Sequence, residues 1–268
     1  MKVFISADIE GIAIAARKED CSIGGYEYER YRQEMTREVV AACEGAHEAG
    51  ADLIVVRDAH GPAISIYPEE LPEYVELIRN WSTEPRLMVE GVDETFDAAM
   101  FVGYHNAAGT GSNVLSHTIS MSRVNYIKIN GKLASEFLIY SYMCAYYGVP
   151  SVLLAGDKGL CEESQSLHPG LVTVPVCEGI GGRSRGISPK LAWKQIREGA
   201  KKALSQDLKK LVIEPPKNVE VEIGYKEHAL AYTKSFYPGA KLVDPKTISL
   251  QAADWYEVGR FLSMVVAQ

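Results

Sequence analysis

The chain is poor in cysteine, in basic charge and in long apolar runs. Its five cysteines, Cys21, Cys43, Cys144, Cys161 and Cys177, are odd in number and form no C-x-x-C pair. That excludes a disulfide framework and a structural zinc knuckle, and predicts free thiols in a reducing compartment. Net charge is −7, which excludes a broad nucleic-acid footprint because phosphate binding needs a basic surface. No uncharged stretch approaches the length of a membrane span. The N-terminus enters a strand pattern at once, without a basic leader or an apolar signal core. These absences predict a soluble, cytoplasmic protein with neither a nucleic-acid nor a membrane partner. Internal repeats, low-complexity segments and a Walker pattern are missing too.

What is present is apolar residue enough, 47% of 268 positions, for a buried core in one large or two modest domains. The apolar run 3–5 reads as a strand. It leads to Asp8 and Glu10, which period-two alternation sends to the same side, and then to Gly11, where the backbone can turn sharply. Residues 26–49 carry Tyr31, Met35, Val39 and Ala42 at helical spacing, and 51–56 form a second apolar strand ending in Arg57-Asp58-Ala59-His60. Strand, helix, strand is the order of a right-handed parallel crossover. Residues 62–80, interrupted by proline, read as loop, 87–89 as a short strand and 93–96 as a turn or short helix. A third buried strand, 98–102, leads to Gly103-Tyr104-His105.

Further along, 124–129 alternates as a hairpin strand turning at Asn130-Gly131. A helix is predicted over 132–147, with Glu136 in its early turns. Strand 151–155 ends at Asp157, read as the N-cap of a helix over 160–167. Strand 172–176 follows. The Gly-rich stretch 178–189 lacks G-x-G-x-x-G spacing and reads as a flexible crossing between domains, with Arg183 and Arg185 within reach of an anionic substrate group. Beyond it, helix 188–204, strand 219–224, helix 228–235, strand 247–251 and helix 254–266 show no crossover rhythm. The predicted fold is α/β: a mainly parallel, Rossmann-like three-layer domain over 1–187 and a smaller C-terminal α+β domain over 188–268.

Three strands therefore end in residues able to bind metal: Asp8 and Glu10, then His60 with Asp58 beside it, then His105. In open parallel sheets the carboxyl ends of the strands form the ligand crevice, so positions a hundred residues apart can meet there. Singly, each is an ordinary surface acid or structural histidine; their recurrence at three strand ends sets them apart. Glu136 offers a further carboxylate. Two imidazoles with three carboxylates suit zinc, and the excess of carboxylate allows a bridged two-metal site. His117 is a third imidazole ligand, or a general acid, base or nucleophile beside the metals. His47, His168 and His228 lack acidic companions at strand ends and read as structural or surface residues.

The ordered segments Ser6-Ala7-Asp8-Ile9-Glu10-Gly11, Asp58-Ala59-His60, Met88-Val89-Glu90-Gly91-Val92-Asp93-Glu94-Thr95-Phe96, Phe101-Val102-Gly103-Tyr104-His105 and Ser116-His117, with Glu136 after the Asn130-Gly131 turn, carry a resemblance. The chain resembles the zinc-dependent D-aminopeptidases of the DppA type, the M55 metallopeptidase family, over nearly its whole length and most densely over 2–157. It departs after Gly11, where Ile12-Ala13-Ile14 replaces a small residue and glycine. The resemblance implies two zinc ions per subunit held by Asp8, Glu10, His60, His105 and Glu136, with Asp8 shared between them and His117 catalytic. It implies removal of N-terminal D-amino acids, such as D-alanine, from short peptides. It also implies a homodecamer of two stacked pentamers whose sites face an inner channel. The same residues would serve another two-metal hydrolase, a deacylase or phosphoesterase; a non-catalytic peptide-binding protein is the further alternative.

Overall fold

The run Val3 to Ile5 becomes the middle of β1 (Lys2–Ala7), whose residues from Val3 to Ala7 are all buried. In the computed structural model, which describes residues 1–168 and 170–267, it is followed by α1 (Tyr28–Glu48), β2 (Leu53–Asp58), β3 (Val75–Ile78) and β4 (Ala98–Tyr104). Then come β5 (Val124–Ile129), β6 (Lys132–Leu133), α2 (Glu136–Tyr146), β7 (Ser151–Asp157), α3 (Lys158–Leu167), β8 (Val172–Ile180), β9 (Arg183–Gly186) and α4 (Pro189–Leu204). The chain closes with β10 (Val219–Tyr225), α5 (His228–Lys234), β11 (Lys241–Asp244), β12 (Thr247–Ala252) and α6 (Trp255–Leu262).

Seven strands form one sheet in the order β3-β2-β1-β4-β7-β8-β9, parallel except for β9 at one edge. The chain steps outward from β1 to β3, then returns to the other side of β1 with β4. The strand order reverses between β1 and β4, which is where open α/β sheets leave a crevice at their carboxyl ends.

Alternation along the strands sends apolar side chains to both faces, so both faces must be covered. On one, Val3, Ile5, Val56, Met100, Val102 and Leu153 pack under α1 and α4, into which Tyr31, Met35, Val39 and Ala42 of α1 and Ile196 of α4 are buried. On the other, Phe4, Val55, Phe101 and Leu154 meet Phe137 and Met143 of α2. Beyond α2 stands a second, antiparallel sheet, β11-β12-β10-β5-β6. Its Ile127, Val221, Ile223, Ile248 and Leu250 share that core with Trp255 and Phe261 of α6. Each such side chain contributes roughly 1.5–3 kcal/mol by leaving water, so α2 is fixed from both sides.

The second sheet joins residues 124–133 to residues 219–252, while α4 returns to the first sheet. Several expectations are corrected. Lys132–Leu133 pairs with β5 instead of opening the helix, because the Asn130-Gly131 turn returns the chain as a hairpin; the helix starts at Glu136, capped by Ser135. Val75–Ile78 is an edge strand, hidden in the sequence by the prolines around it. Leu87–Val89 is a 3-10 turn, with Leu87 at φ +45°, since three apolar residues alone do not distinguish strand from turn. The Gly-rich stretch is the ordered β8–β9 hairpin at the sheet edge. Asp157 caps α3 as expected, accepting from the Leu160 N–H at 2.9 Å. All five cysteines are buried and free. Among the described residues no helix is long and apolar enough to cross a membrane.

Candidate active site

β1 ends at Ala7, so Asp8 and Glu10 are placed by the turn after it rather than by strand alternation. That turn is packed backbone on backbone against the end of β4. Asp8 N–H donates to Val102 O at 2.9 Å and Gly11 N–H to Gly103 O at 2.7 Å. A Cβ on Gly11 would stand 2.0 Å from Tyr104 O, and one on Gly103, at φ +75°, 2.1 Å from Asp8 O. Only two glycines permit this approach, and it brings the carboxylates beside His105.

His60 follows β2 on a loop held by Asp58, whose Oδ2 accepts from Ile66 N–H at 2.7 Å, and by Trp81, whose Nε1–H donates to Gly61 O at 2.7 Å. Glu136 is the first residue of α2, where the positive end of the helix favours a carboxylate; its Oε1 accepts from Ile119 N–H. His117 lies in the loop between β4 and β5.

All six residues converge. His60 Nε2 is 3.1 Å from Glu10 Oε1, and His105 Nε2 is 3.4 Å from Asp8 Oδ2 and 3.6 Å from Glu136 Oε2. His117 Nε2 is 3.9 Å from Glu10 Oε1 and 3.8 Å from Glu136 Oε1. The rings of His105 and His117 stack with centroids 4.3 Å apart. Potential ligand atoms of Asp8, Glu10 and His60 lie within 4.8 Å of one another, as do those of His105, His117 and Glu136. There are thus two adjoining groups of three.

The histidine tautomers follow from the partners. His105 Nδ1 meets Asn106 O at 3.0 Å and His117 Nδ1 meets Leu115 O at 2.7 Å. A carbonyl only accepts, so each Nδ1 carries the proton and each Nε2 presents a lone pair to the cluster. Burial, and then the Glu10 and Glu136 carboxylates, raise the Asp8 carboxyl well above its ordinary range. Burial acts the same way on Glu10, but His60 and His117 outweigh it and hold Glu10 well below that range. At His60 burial opposes protonation, yet the Glu10 carboxylate prevails and raises it. Burial, then His105, lower His117.

A metal fits this set. Asp8 Oδ2 and His105 Nε2 are buried, face each other and have no hydrogen-bond partner among the described residues. Two acceptors in that position are satisfied together by a cation. Three carboxylates and three imidazoles at one point are a donor mixture that zinc accepts.

Asp8, Glu10, His60, His117 and Glu136 line a cavity of about 480 Å³, a size suited to a small ligand. Trp81, Leu87, Met88, Ile119 and Tyr140 make its apolar wall, and Lys18 and Ser22 stand among its lining residues. Met88 belongs to a segment that carries the family resemblance, but Lys18, Trp81 and Tyr140 did not stand out in the sequence, because a lone aromatic or lysine has no motif; for Tyr140 the positional signal is its place one helical turn from Glu136. Arg183 and Arg185 do not line the cavity. Nor do His47, stacked on Tyr74, His168, packed by Phe137 and Tyr142, or His228 at the start of α5.

The family model for Peptidase M55, described as D-aminopeptidase, matches residues 1–264. The chain belongs to this family. A D-aminopeptidase of Bacillus subtilis (strain 168) is 30% identical over 259 residues, 96% of this chain and 93% of its own length. In structure the M55 chain is similar to the Zn-dependent D-aminopeptidase DppA from Bacillus subtilis, a self-compartmentalizing protease. That similarity has a TM-score of 0.90 at 29% identity, and covers 98% of this chain and 95% of the other. The mostly parallel α/β sheet described above is the fold they share.

Proposed function

We propose that this M55 chain is a zinc-dependent D-aminopeptidase that removes the N-terminal D-residue from short peptides, dipeptides among them, at a two-zinc site. The observation that carries the reading is the convergence of Asp8, Glu10, His60, His105, Glu136 and His117 at the sheet's switch point, in a chain that matches the family over residues 1–264. Asp8, Glu10, His60, His105 and Glu136 would hold the metals. Asp8 lies beside both other carboxylates and His105 and would be the ligand the metals share. Bound zinc supplies a Lewis acid for the peptide carbonyl and lowers the pKa of a water toward neutrality.

The protein's own groups do the rest. His117 is fixed by Leu115 O with its Nε2 lone pair toward the cluster, and its lowered proton affinity leaves that nitrogen free. It serves as the acid–base group or as the nucleophile. The substrate's free α-amino nitrogen, in its neutral form, is a donor of the kind zinc accepts, which would favour cleavage from the amino end. Lys18 among the lining residues offers a cation for a free terminal carboxylate. The apolar wall excludes water and accepts the side chain.

We also place the protein in the cytoplasm, which the five free thiols support, and assign it a homodecamer of two stacked pentamers. Self-association is supported by exposed apolar residues on α5, on the turn after it and on β11: Tyr232, Phe236, Leu242 and Val243.

The test is hydrolysis of D-Ala-D-Ala and L-Ala-L-Ala before and after chelation, with zinc restored. Cleavage of the D-peptide alone, lost with chelator and regained with zinc, is expected. Metal-dependent cleavage of only the L-peptide would keep the site and overturn the stereochemistry. Turnover of a generic phosphoester in place of either peptide would make the protein a phosphoesterase.

A further inference from the structure

Tyr140 lines the cavity, is 1% exposed, and its hydroxyl has no hydrogen-bond partner among the described residues. Its neighbour Tyr104 differs. Ser6 Oγ–H donates to Met88 O at 2.6 Å, so the 2.6 Å contact between Ser6 and Tyr104 leaves the tyrosine as donor. One buried phenol is thus satisfied within the fold, whereas the one in the cavity wall is not. An unpaired buried hydroxyl is unfavourable where phenylalanine would fill the same space, and such a group in a pocket points to a ligand.

The position of Tyr140 narrows the partner. It lies four residues after Glu136 on α2, so the two side chains share a face one turn apart. A tyrosine hydroxyl, with an ordinary pKa of about 10, is a hydrogen-bond donor at neutral pH. A peptide's amino terminus offers no carbonyl-type acceptor, and its terminal carboxylate is drawn to a cation such as Lys18. The acceptor that must come next to Glu136 for cleavage is the carbonyl oxygen of the scissile bond.

Building on the peptidase function proposed above, we propose that the Tyr140 O–H donates a hydrogen bond to the carbonyl oxygen of the peptide bond being cleaved. The bond strengthens as that oxygen gains negative charge and the carbon becomes tetrahedral. The phenol keeps its proton throughout. A neutral donor placed in a dry wall needs no reorganisation at that moment, which is where such groups gain their effect.

Tyr140→Phe tests this in the zinc-loaded enzyme with D-Ala-D-Ala. The expected result is a fall in kcat of about a hundredfold with KM little changed. Zinc content should be unaltered, and the thermal midpoint equal to or above that of the wild type, since an unpaired hydroxyl has been removed. A D-Ala-D-Ala analogue with CH2–NH in place of the amide should bind both proteins equally, having no carbonyl to receive the bond. A kcat within about threefold of wild type, on the same donor-removal scale, would overturn the assignment while leaving the peptidase function standing. So would a lowered midpoint with loss of zinc, which marks a structural hydroxyl, or weaker binding of the analogue by the variant. A wild-type enzyme that cleaves no peptide overturns the function and the assignment together.

Discussion

His117 and His105 are stacked imidazoles with opposite surroundings. His105 is 1% exposed and faces Asp8 and Glu136, whereas His117 reaches the same point from a loop, lining the cavity. Their proposed roles divide accordingly. His117→Ala should abolish turnover while zinc content after dialysis stays at the wild-type level; loss of zinc would make His117 a ligand instead. His168 behaves differently again. Packed by Phe137 and Tyr142, with Nε2 unpartnered among the described residues, it is pushed down to about 4 by burial. The unfolded chain takes up a proton near pH 6.5, so the stabilising contribution is present above that pH and is lost as pH falls toward 4. Urea unfolding at pH 7 and pH 5 should show wild type losing about 2 kcal/mol more than His168→Phe.

Among the elements, the crossing of the β1 and β4 ends carries the site. Gly103→Ala places a methyl 2.1 Å from Asp8 O at a positive φ, which should cost more than about 3 kcal/mol and lower zinc content with it, read by denaturant unfolding and metal analysis. The sequence exposed the elements that make this crossing. Apolar runs followed by Asp8, His60 and His105 are long-range signals written locally, at strand ends. Glu10 was found for a partly mistaken reason, since a turn and not alternation places it. What stayed hidden depends on partners elsewhere in the chain. β3 is a strand because β2 offers an edge, and residues 124–133 belong to the second sheet because β10 pairs with β5. Nothing within those segments encodes that pairing. Trp81, Lys18 and Tyr140 face the cavity for the same tertiary reason.

For the whole molecule, the second sheet leaves one edge exposed. Every residue of β11 is exposed, and Tyr232 and Phe236 of the adjoining segment are 59% and 71% exposed. Exposed apolar side chains beside an uncovered sheet edge favour association. In the proposed decamer, Phe236→Glu should shift the native mass by light scattering from the decamer to smaller species, while a wild-type mass equal to one chain would remove the assembly itself.

The pairing of β5 with β10 also sets a timetable. His117 and Glu136 flank the hairpin β5–β6, and the strand that covers it is about 90 residues downstream, which on the ribosome is a wait of roughly 5–20 s. During that interval Asp8, Glu10 and His60 have already emerged, and the frame that fixes α2 between two sheets has not. Completion of the site is therefore an event of late synthesis or after release. A nascent chain stalled before Val219 would carry all six residues and still lack the support that holds Glu136 in place.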